Sequence, residues 1–209
     1  MPRPRSLSQT DLAAAALAVI DRDGLAGMSM RSVAHQLRMG TMSLYRYVTD
    51  RGQLEGLVVE LVLAGVDTTV PSDGSWQQRI TVLVERVRDA VGAHPEMVPL
   101  TVRHRHASAA LARWSEAVLA VLTEAGCTGP RRVIALRSLI SYVIGAIQLE
   151  HLGPLSGAGT VVLADLPDDR FPLLAETARG AGGITPADEF RGGLDVLLAG
   201  LDTAPSSVD

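Results

Sequence analysis

Apolar residues recur every three or four positions along almost the whole chain, which places them on one side of a helix. The first such stripe runs from Leu12 to Ile20 and the last from Phe190 to Leu201. No alternating run of the kind that forms a half-buried strand interrupts the series. Hydrophobic residues make up 47% of the chain, enough for a buried core, and only 3% of the chain is aromatic. The sequence therefore predicts an all-α protein with an aliphatic core.

All 19 basic residues are arginine, so the chain of 209 residues contains no lysine. A phosphate-binding loop ending in Gly-Lys, a Schiff-base lysine and the lysine of a kinase strand are therefore excluded. The motifs GxSxG, HExxH and GxGxxG do not occur either. Because no nucleophile is convincingly paired with a base, we do not expect an enzyme, and an all-α enzyme is the weaker alternative.

Charge is distributed unevenly along the chain. Residues 1–52 hold seven arginines and four acidic residues, a balance of +3, whereas residues 53–209 hold twelve and nineteen, a balance of −7. The two values sum to the net charge of −4. A basic head on an acidic body suits a protein that places one end against an anionic polymer such as DNA. Ordinary scatter is the alternative explanation for an excess of three charges.

The chain shows no pattern typical of export or membrane insertion. Cys127 is the single cysteine, so an internal disulfide is impossible and a reducing compartment is expected. The segment Leu12–Ile20 mimics the core of a secretion signal, but Asp11 and Asp21 border it. The longest apolar stretch, Ser138–Leu149, is too short to span a bilayer. We therefore expect a cytoplasmic protein without a membrane partner.

A break at Pro71–Gly74 separates short helices from longer ones. The sequence predicts a helix-turn-helix domain over residues 1–51, a fourth helix over 51–67 as connector, and a helical ligand-binding and dimerisation domain over 68–209. Residues 153–170, rich in Gly, Pro and Asp, are predicted to be a loop, and residues 204–209 to fray. The predicted helices of the second domain cover about 75–93, 96–103, 108–125, 130–152, 171–179 and 186–203.

Two short helices joined by a tight turn form a predicted helix-turn-helix. Ser29 caps the first helix, residues 38–40 form the turn, and the second helix covers 41–48. Leu44 and Val48 lie four residues apart and are predicted to point inward. The remaining side chains offer hydroxyl, guanidinium and aromatic groups, which bind phosphates and base edges. They are Thr41, Ser43, Tyr45, Arg46 and Tyr47. An ordinary corner of a helical bundle is the alternative interpretation.

The segment from Ser29 to Val48 resembles the operator-binding domain of the TetR family of one-component repressors. The resemblance rests on Arg-x-x-Ala at 31–34 and on Leu-Tyr-x-x-Val at 44–48. Weaker similarity to the C-terminal domain of the tetracycline-repressor subgroup extends over the rest of the chain, for instance at Phe171–Leu174. The resemblance implies a homodimer that binds double-stranded operator DNA and releases it when a small effector binds.

The resemblance also implies DNA-binding roles for individual residues. The implied contacts with bases or phosphates are Arg31, Thr41, Met42, Ser43, Tyr45, Arg46, Tyr47 and Arg51. Arg3 and Arg5 are candidates for a basic arm. Arg38 departs from the family pattern because it occupies the position of the usual turn glycine, while Gly40 follows two residues later. The turn is therefore expected to be shifted or strained.

An effector cavity is implied among the middle helices, and a plain hydrophobic core is the alternative for its apolar members. The candidate ligand-binding residues are Leu83, Val87, Met97, Leu100, Arg103, Trp114, Tyr142 and Gln148. The fourth helix lacks the histidine of the tetracycline repressor, and Thr101 occupies a ligand-contact position. We therefore expect a small lipophilic effector rather than a tetracycline–magnesium complex.

No metal or cofactor is expected. His104 and His106 could form a His-x-His pair, but alternate residues on a helix diverge by about 200°. A solvated or pocket-rim basic patch, formed by residues 103–106, is the favoured interpretation. The helix over 130–152 is apolar on more than one face, which predicts a second subunit against it and against the last helix. The overall prediction is a ligand-responsive repressor that binds a near-palindromic operator, and the alternative is a helical binding module without DNA binding.

Overall fold

The computed structural model describes residues 7–203, and all regular secondary structure within this range is helical. This result confirms the predicted all-α class. A 3₁₀ turn over Pro95–Met97 separates α5 from α6. The helices are α1 (Gln9–Gly27), α2 (Met30–Gln36), α3 (Thr41–Leu44), α4 (Arg51–Ala64), α5 (Trp76–Gly92), α6 (Val98–Arg103), α7 (Ala109–Glu124), α8 (Gly129–Leu152), α9 (Ala158–Ala164), α10 (Pro172–Ala181) and α11 (Pro186–Thr203). The predictions for Arg3, Arg5 and residues 204–209 fall outside the described residues.

The described chain divides into two compact units. The first unit comprises the described residues up to Thr69 together with Glu85–Ala117. The second includes Val70–Val84 and continues from Val118 to the end of the described range. In the first unit α1 packs against α2 and α4, α2 packs against α3, and α4 packs against α6. In the second unit α8 packs against α11, and α9 packs against α10.

Short-range capping defines the N-terminal helices. Ser8 caps α1 and forms a reciprocal capping box with Asp11. Gly24 adopts φ 72°, so the regular part of α1 ends there, and one further turn leads to Gly27. Ser29 caps α2, as predicted, and Asp50 caps α4, because each side chain accepts a hydrogen bond from a backbone amide three residues later.

Three predicted segments differ from the structure. The predicted helix 41–48 is α-helical only over Thr41–Leu44, because the amides of Arg46 and Tyr47 bond to carbonyls three residues back rather than four, a tighter turn than an α-helix. The predicted loop 153–170 contains α9. Gly and Pro dominate its flanks, whereas the stretch inside α9 is apolar and includes Val161 and Val162. The fourth helix ends at Ala64, three residues before the predicted end.

Helices α8 and α11 form the main packing of the second unit. The Tyr142 hydroxyl donates to the Phe190 carbonyl over 2.6 Å, and the two rings lie 5.3 Å apart. Arg131 donates to the Leu201 carbonyl near the other end of the pair. The apolar stripe of α11 is largely covered within the chain, since Phe190, Leu194 and Leu198 are all buried. The prediction that this stripe faces a second subunit is therefore wrong for these three residues.

The outer face of α8 stays uncovered within one chain. Its exposed apolar residues, between 62 and 75% accessible, are Val133, Ile134, Leu149 and Leu152. Across the part of the chain that the structure describes, α8 is also the one helix that is long and apolar enough to cross a membrane, counting length and composition alone. The prediction that the longest apolar stretch is too short to span a bilayer considered Ser138–Leu149 only, whereas the whole of α8 is long enough. Such a helix is weak evidence for a membrane span, because buried helices of other proteins pass the same test.

Candidate nucleic-acid interface

The helix-turn-helix is held by a small buried core. Val33 and Ala34 of α2 are buried inside the first unit, and Leu44 and Val48 are 0% and 2% exposed. The predicted inward orientation of Leu44 and Val48 is therefore confirmed. With both anchors buried, the short α3 and the turn after it present their remaining side chains outward.

The predicted DNA-contact residues all lie in the first unit, and none of them is buried. Met42 is 81% exposed and Tyr45 is 47% exposed, although both are large apolar or aromatic side chains. Arg31 and Arg46 are exposed as well. The half-buried members are Thr41, Ser43 and Tyr47. These exposed aromatic, thioether and guanidinium groups are available to contact base edges.

The turn between α2 and α3 is strained at Arg38. Arg38 adopts φ 54° and is the only non-glycine with positive φ among residues 7–203. Gly40, by contrast, has an ordinary φ of −74°. The turn closes because the Met39 amide donates to the Ala34 carbonyl over 2.9 Å. Of the two expected outcomes, the structure has the strained turn and not the shifted one, because Arg38 adopts the backbone conformation that favours glycine.

Arg51 begins α4 next to its cap, Asp50, and its guanidinium is fixed by two contacts. Its Nε donates to Glu55 Oε1 over 2.8 Å, and its Nη2 donates to the Leu25 carbonyl over 3.4 Å. The side chain of Arg51 is 45% exposed despite these contacts. Arginine has five N–H donors, so three of them remain for a phosphate.

Glu55 was not predicted as a functional residue, yet it is 2% exposed and contacts the side chains of Arg51, Arg103 and His104. Its Oε2 accepts from Arg103 Nη1 over 3.0 Å and lies 2.9 Å from His104 Nε2. Burial alone would raise the pKa of the Glu55 carboxyl, but hydrogen bonds from His104, Arg103 and Arg51 together lower this pKa below its ordinary value. The i, i+4 spacing of Arg51 and Glu55 was the one indication in the sequence.

These contacts also correct the interpretation of the basic segment 103–106. Its acidic partner is Glu55 of the same chain, so Arg103 and His104 are not simply a solvated patch, while the side chain of Arg103 remains 57% exposed. Within the described residues, no group of three or more His, Cys, Asp or Glu side chains is placed to hold a metal ion.

The other candidate ligand-binding residues divide between the two units. Leu83, Tyr142 and Gln148 belong to the second unit, and the remainder to the first. The fully or nearly fully buried members are Leu83, Val87, Met97, Leu100 and Trp114. Tyr142 lines an open groove of about 260 Å³ within the second unit. Burial is required of a cavity lining and of a plain core alike, so the ligand-binding roles stay predictions.

Comparison with known proteins identifies the family. The sequence model of the tetracyclin repressor-like C-terminal domain matches residues 68–204. A helix-turn-helix-type transcriptional regulator of Saccharopolyspora erythraea is 32% identical over 204 residues, which cover 93% of this chain and 84% of the relative. The chain belongs to the TetR family.

Two further relatives of this TetR-family chain agree with that assignment. The transcriptional repressor DrrR1 of Streptomyces coeruleorubidus is 28% identical over 215 residues, which cover 96% of this chain and 79% of DrrR1. The crystal structure of ActR from Streptomyces coelicolor in complex with (S)-DNPA superposes with a TM-score of 0.80 at 25% identity and covers 93% and 96% of the two chains. The chain is therefore a transcriptional regulator with a DNA-binding helix-turn-helix and a helical ligand-binding domain.

Proposed function

We propose that this protein is a dimeric repressor that binds a near-palindromic operator and leaves it when a small lipophilic effector binds. The observation that carries the proposal is the outward surface of the helix-turn-helix. Met42 and Tyr45 are exposed there beside Arg46, on a scaffold whose inward anchors are buried. Such a surface has no role in packing, and its groups are those that contact phosphates and base edges.

DNA contacts in this proposal divide by chemistry. Arg46 and the neighbouring Tyr45 and Tyr47 contact bases, since a guanidinium can bind guanine O6 and N7 bidentately. Arg51 contacts a phosphate, because its position at the start of α4 leaves three N–H donors available. Arg31, Thr41, Met42 and Ser43 complete the proposed contact surface.

A second copy of the chain is proposed to cover the outer face of α8. The exposed Val133 and Ile134 lie near the start of this helix and the exposed Leu149 and Leu152 near its end, so apolar side chains at both ends are left uncovered. Apolar faces of this kind are typical of permanent homodimer interfaces. Two-fold symmetry then requires two half-sites about 34–36 Å apart, one helical turn of DNA. We propose a boundary between the DNA-binding domain (1–51, with 51–67 as connector) and the C-terminal domain (68–209), which the family match from residue 68 supports.

The effector is proposed to bind among the candidate residues that belong to the first unit. ActR, which is similar to this chain, was solved with the small molecule (S)-DNPA. Apolar candidates such as Met97 and Leu100 suit a lipophilic compound. To convert mostly bound into mostly free repressor, the effector must prefer the released state by about 5.5 kcal/mol. We further propose a cytoplasmic location and no catalytic activity.

A gel-shift titration with the DNA upstream of the protein's own gene, repeated at rising salt, tests the proposal. Arg46→Ala should weaken specific binding by about 1–3 kcal/mol. Arg51→Ala should weaken binding to all sequences alike and reduce the salt slope by about 0.9. Arg179→Ala serves as the matched control, because Arg179 is an equally exposed arginine outside the proposed surface. Normal binding by the Arg46 and Arg51 variants would favour a helical binding module that does not contact DNA.

A further inference from the structure

Glu55 is a buried carboxylate whose two oxygens serve two different parts of the first unit. Oε1 accepts from Arg51 at the start of α4, and Oε2 contacts Arg103 and His104 at the end of α6. A carboxylate that is 2% exposed must be fully paired, because an uncompensated buried charge is strongly destabilising. The three partners therefore hold the carboxylate in a single orientation.

That orientation also fixes Arg51. A long arginine side chain at the surface normally samples many rotamers, and binding a phosphate would require that freedom to be lost. Here the contacts with Glu55 Oε1 and with the Leu25 carbonyl restrict the guanidinium before DNA arrives. Pre-organisation of this kind raises affinity without adding a contact to the ligand.

We propose that Glu55 is a positioning residue. It keeps the Arg51 guanidinium in the orientation that binds a DNA phosphate, and the orientation of Glu55 itself depends on its contacts with Arg103 and His104. The inference rests on the proposed DNA-binding function and deepens it by naming a residue through which operator affinity is regulated. A displacement at the end of α6 removes the two contacts of Oε2. The carboxylate is then left with Arg51 as its one side-chain partner and loses its fixed orientation, and Arg51 loses its own.

The position of α6 gives this connection a regulatory meaning. Leu100 and Arg103, two of the candidate effector residues, both lie on α6, and the residue next to Arg103 is His104. Any ligand that shifts the last turn of α6 therefore acts on the same two contacts. A change in the orientation of the Glu55 carboxylate then reaches Arg51 directly, because the two residues are paired and lie one turn apart on α4.

Fluorescence anisotropy with labelled operator DNA, combined with a double-mutant cycle, tests the proposal. Glu55→Gln should weaken operator binding by about three- to tenfold, as for the loss of one modest hydrogen bond. In an Arg51→Ala background the same substitution should have no further effect, since Glu55 acts through Arg51. An equal loss in both backgrounds, or no loss in either, would overturn the proposal.

Glu60→Gln is the matched control on the same helix. Glu60 is also a carboxylate that joins α4 to a later helix, since it accepts from the Ser108 hydroxyl over 2.8 Å and from the Ala110 amide over 3.1 Å. It does not contact Arg51, so Glu60→Gln should leave operator affinity unchanged even if it lowers the melting temperature. If Glu55→Gln does not fold, Glu55→Asp replaces it in the cycle, because a carboxylate one methylene shorter should also misplace Arg51.

Substitutions on α6 test the other half of the connection. His104→Ala should weaken operator binding by about two- to fivefold, whereas His104→Gln, which can still donate to Glu55, should restore most of the affinity. Both variants should behave like the parent in the Arg51→Ala background. If the parent protein binds no operator, the proposed function fails. If the parent binds and Arg51→Ala weakens binding but the His104 variants do not differ, this inference alone fails.

Discussion

Replacement of Arg38 by glycine should stabilise the protein, although it removes a charged side chain from the surface. Arg38 is held at φ 54°, where its Cβ crowds the following carbonyl oxygen. The cost of this conformation for a residue with a Cβ is about 1–2 kcal/mol. Glycine removes that cost but makes the unfolded chain more flexible, which costs about 0.4–1 kcal/mol. The balance predicts a gain centred at about 0.8 kcal/mol in the free energy of unfolding, within a range of about 0–1.6 kcal/mol.

Urea unfolding followed by circular dichroism measures this gain at a fixed protein concentration, since dimerisation would otherwise change the apparent stability. The melting temperature should rise by about 1–4 °C for a chain of this length. Arg38→Ala is the control: it removes the guanidinium but keeps the Cβ, so the strain remains and the stability should stay within about 0.5 kcal/mol of the parent. An equal gain in both variants would show that the guanidinium, and not the backbone, is the cause. A loss of stability in Arg38→Gly would refute the account of the turn.

Three other substitutions test separate parts of the structure. Ser29→Ala removes the acceptor for the Ser32 amide and should lower the free energy of unfolding by about 1 kcal/mol in urea titrations, and an unchanged midpoint would contradict the capping of α2. Gly193→Ala places a methyl group about 3.0 Å from ring carbons of Tyr142, so the melting temperature should fall with a loss of about 1–3 kcal/mol, and an unaltered melting temperature would refute the packing of α8 on α11. The lowered pKa of Glu55 means that its contribution to stability is complete above the ordinary value of 4.5 and is lost as pH falls through the lower folded value. Glu55→Gln should therefore flatten the acid limb of the stability–pH curve, and an identical limb would contradict the pairing.

The features that could be predicted from the sequence are those that depend on residues close to one another in the chain. The cap Ser29 could be assigned because a cap acts on an amide three residues away. The buried anchors Leu44 and Val48 followed from a four-residue spacing. The resemblance to the TetR family pointed to the DNA-contact surface, where short motifs are specific. Arg38 was recognised as a point of strain because the family pattern places glycine there.

Features that depend on distant contacts could not be predicted in the same way. Glu55 is paired with Arg103 and His104, which follow it by 48 and 49 positions in the chain, and no local sequence pattern indicates such a pairing. Helix α9 was not predicted, because the glycine-rich composition of residues 153–170 favoured a loop over a helix of seven residues. The stripe on α11 was identified correctly as apolar, but a helical stripe alone does not specify whether its own chain or a second chain covers it.

The most direct test of the central claim is selection of operator sequences from a random duplex DNA library by the purified protein. The account predicts enrichment of one near-palindromic sequence with half-sites one helical turn apart, bound by a dimer. Arg46→Ala should lose the preference at the bases that this side chain contacts, while the control Arg179→Ala should select the same sequence as the parent. A pool that stays random after repeated rounds, or that converges on a single unpaired half-site bound by one chain, would contradict the claim.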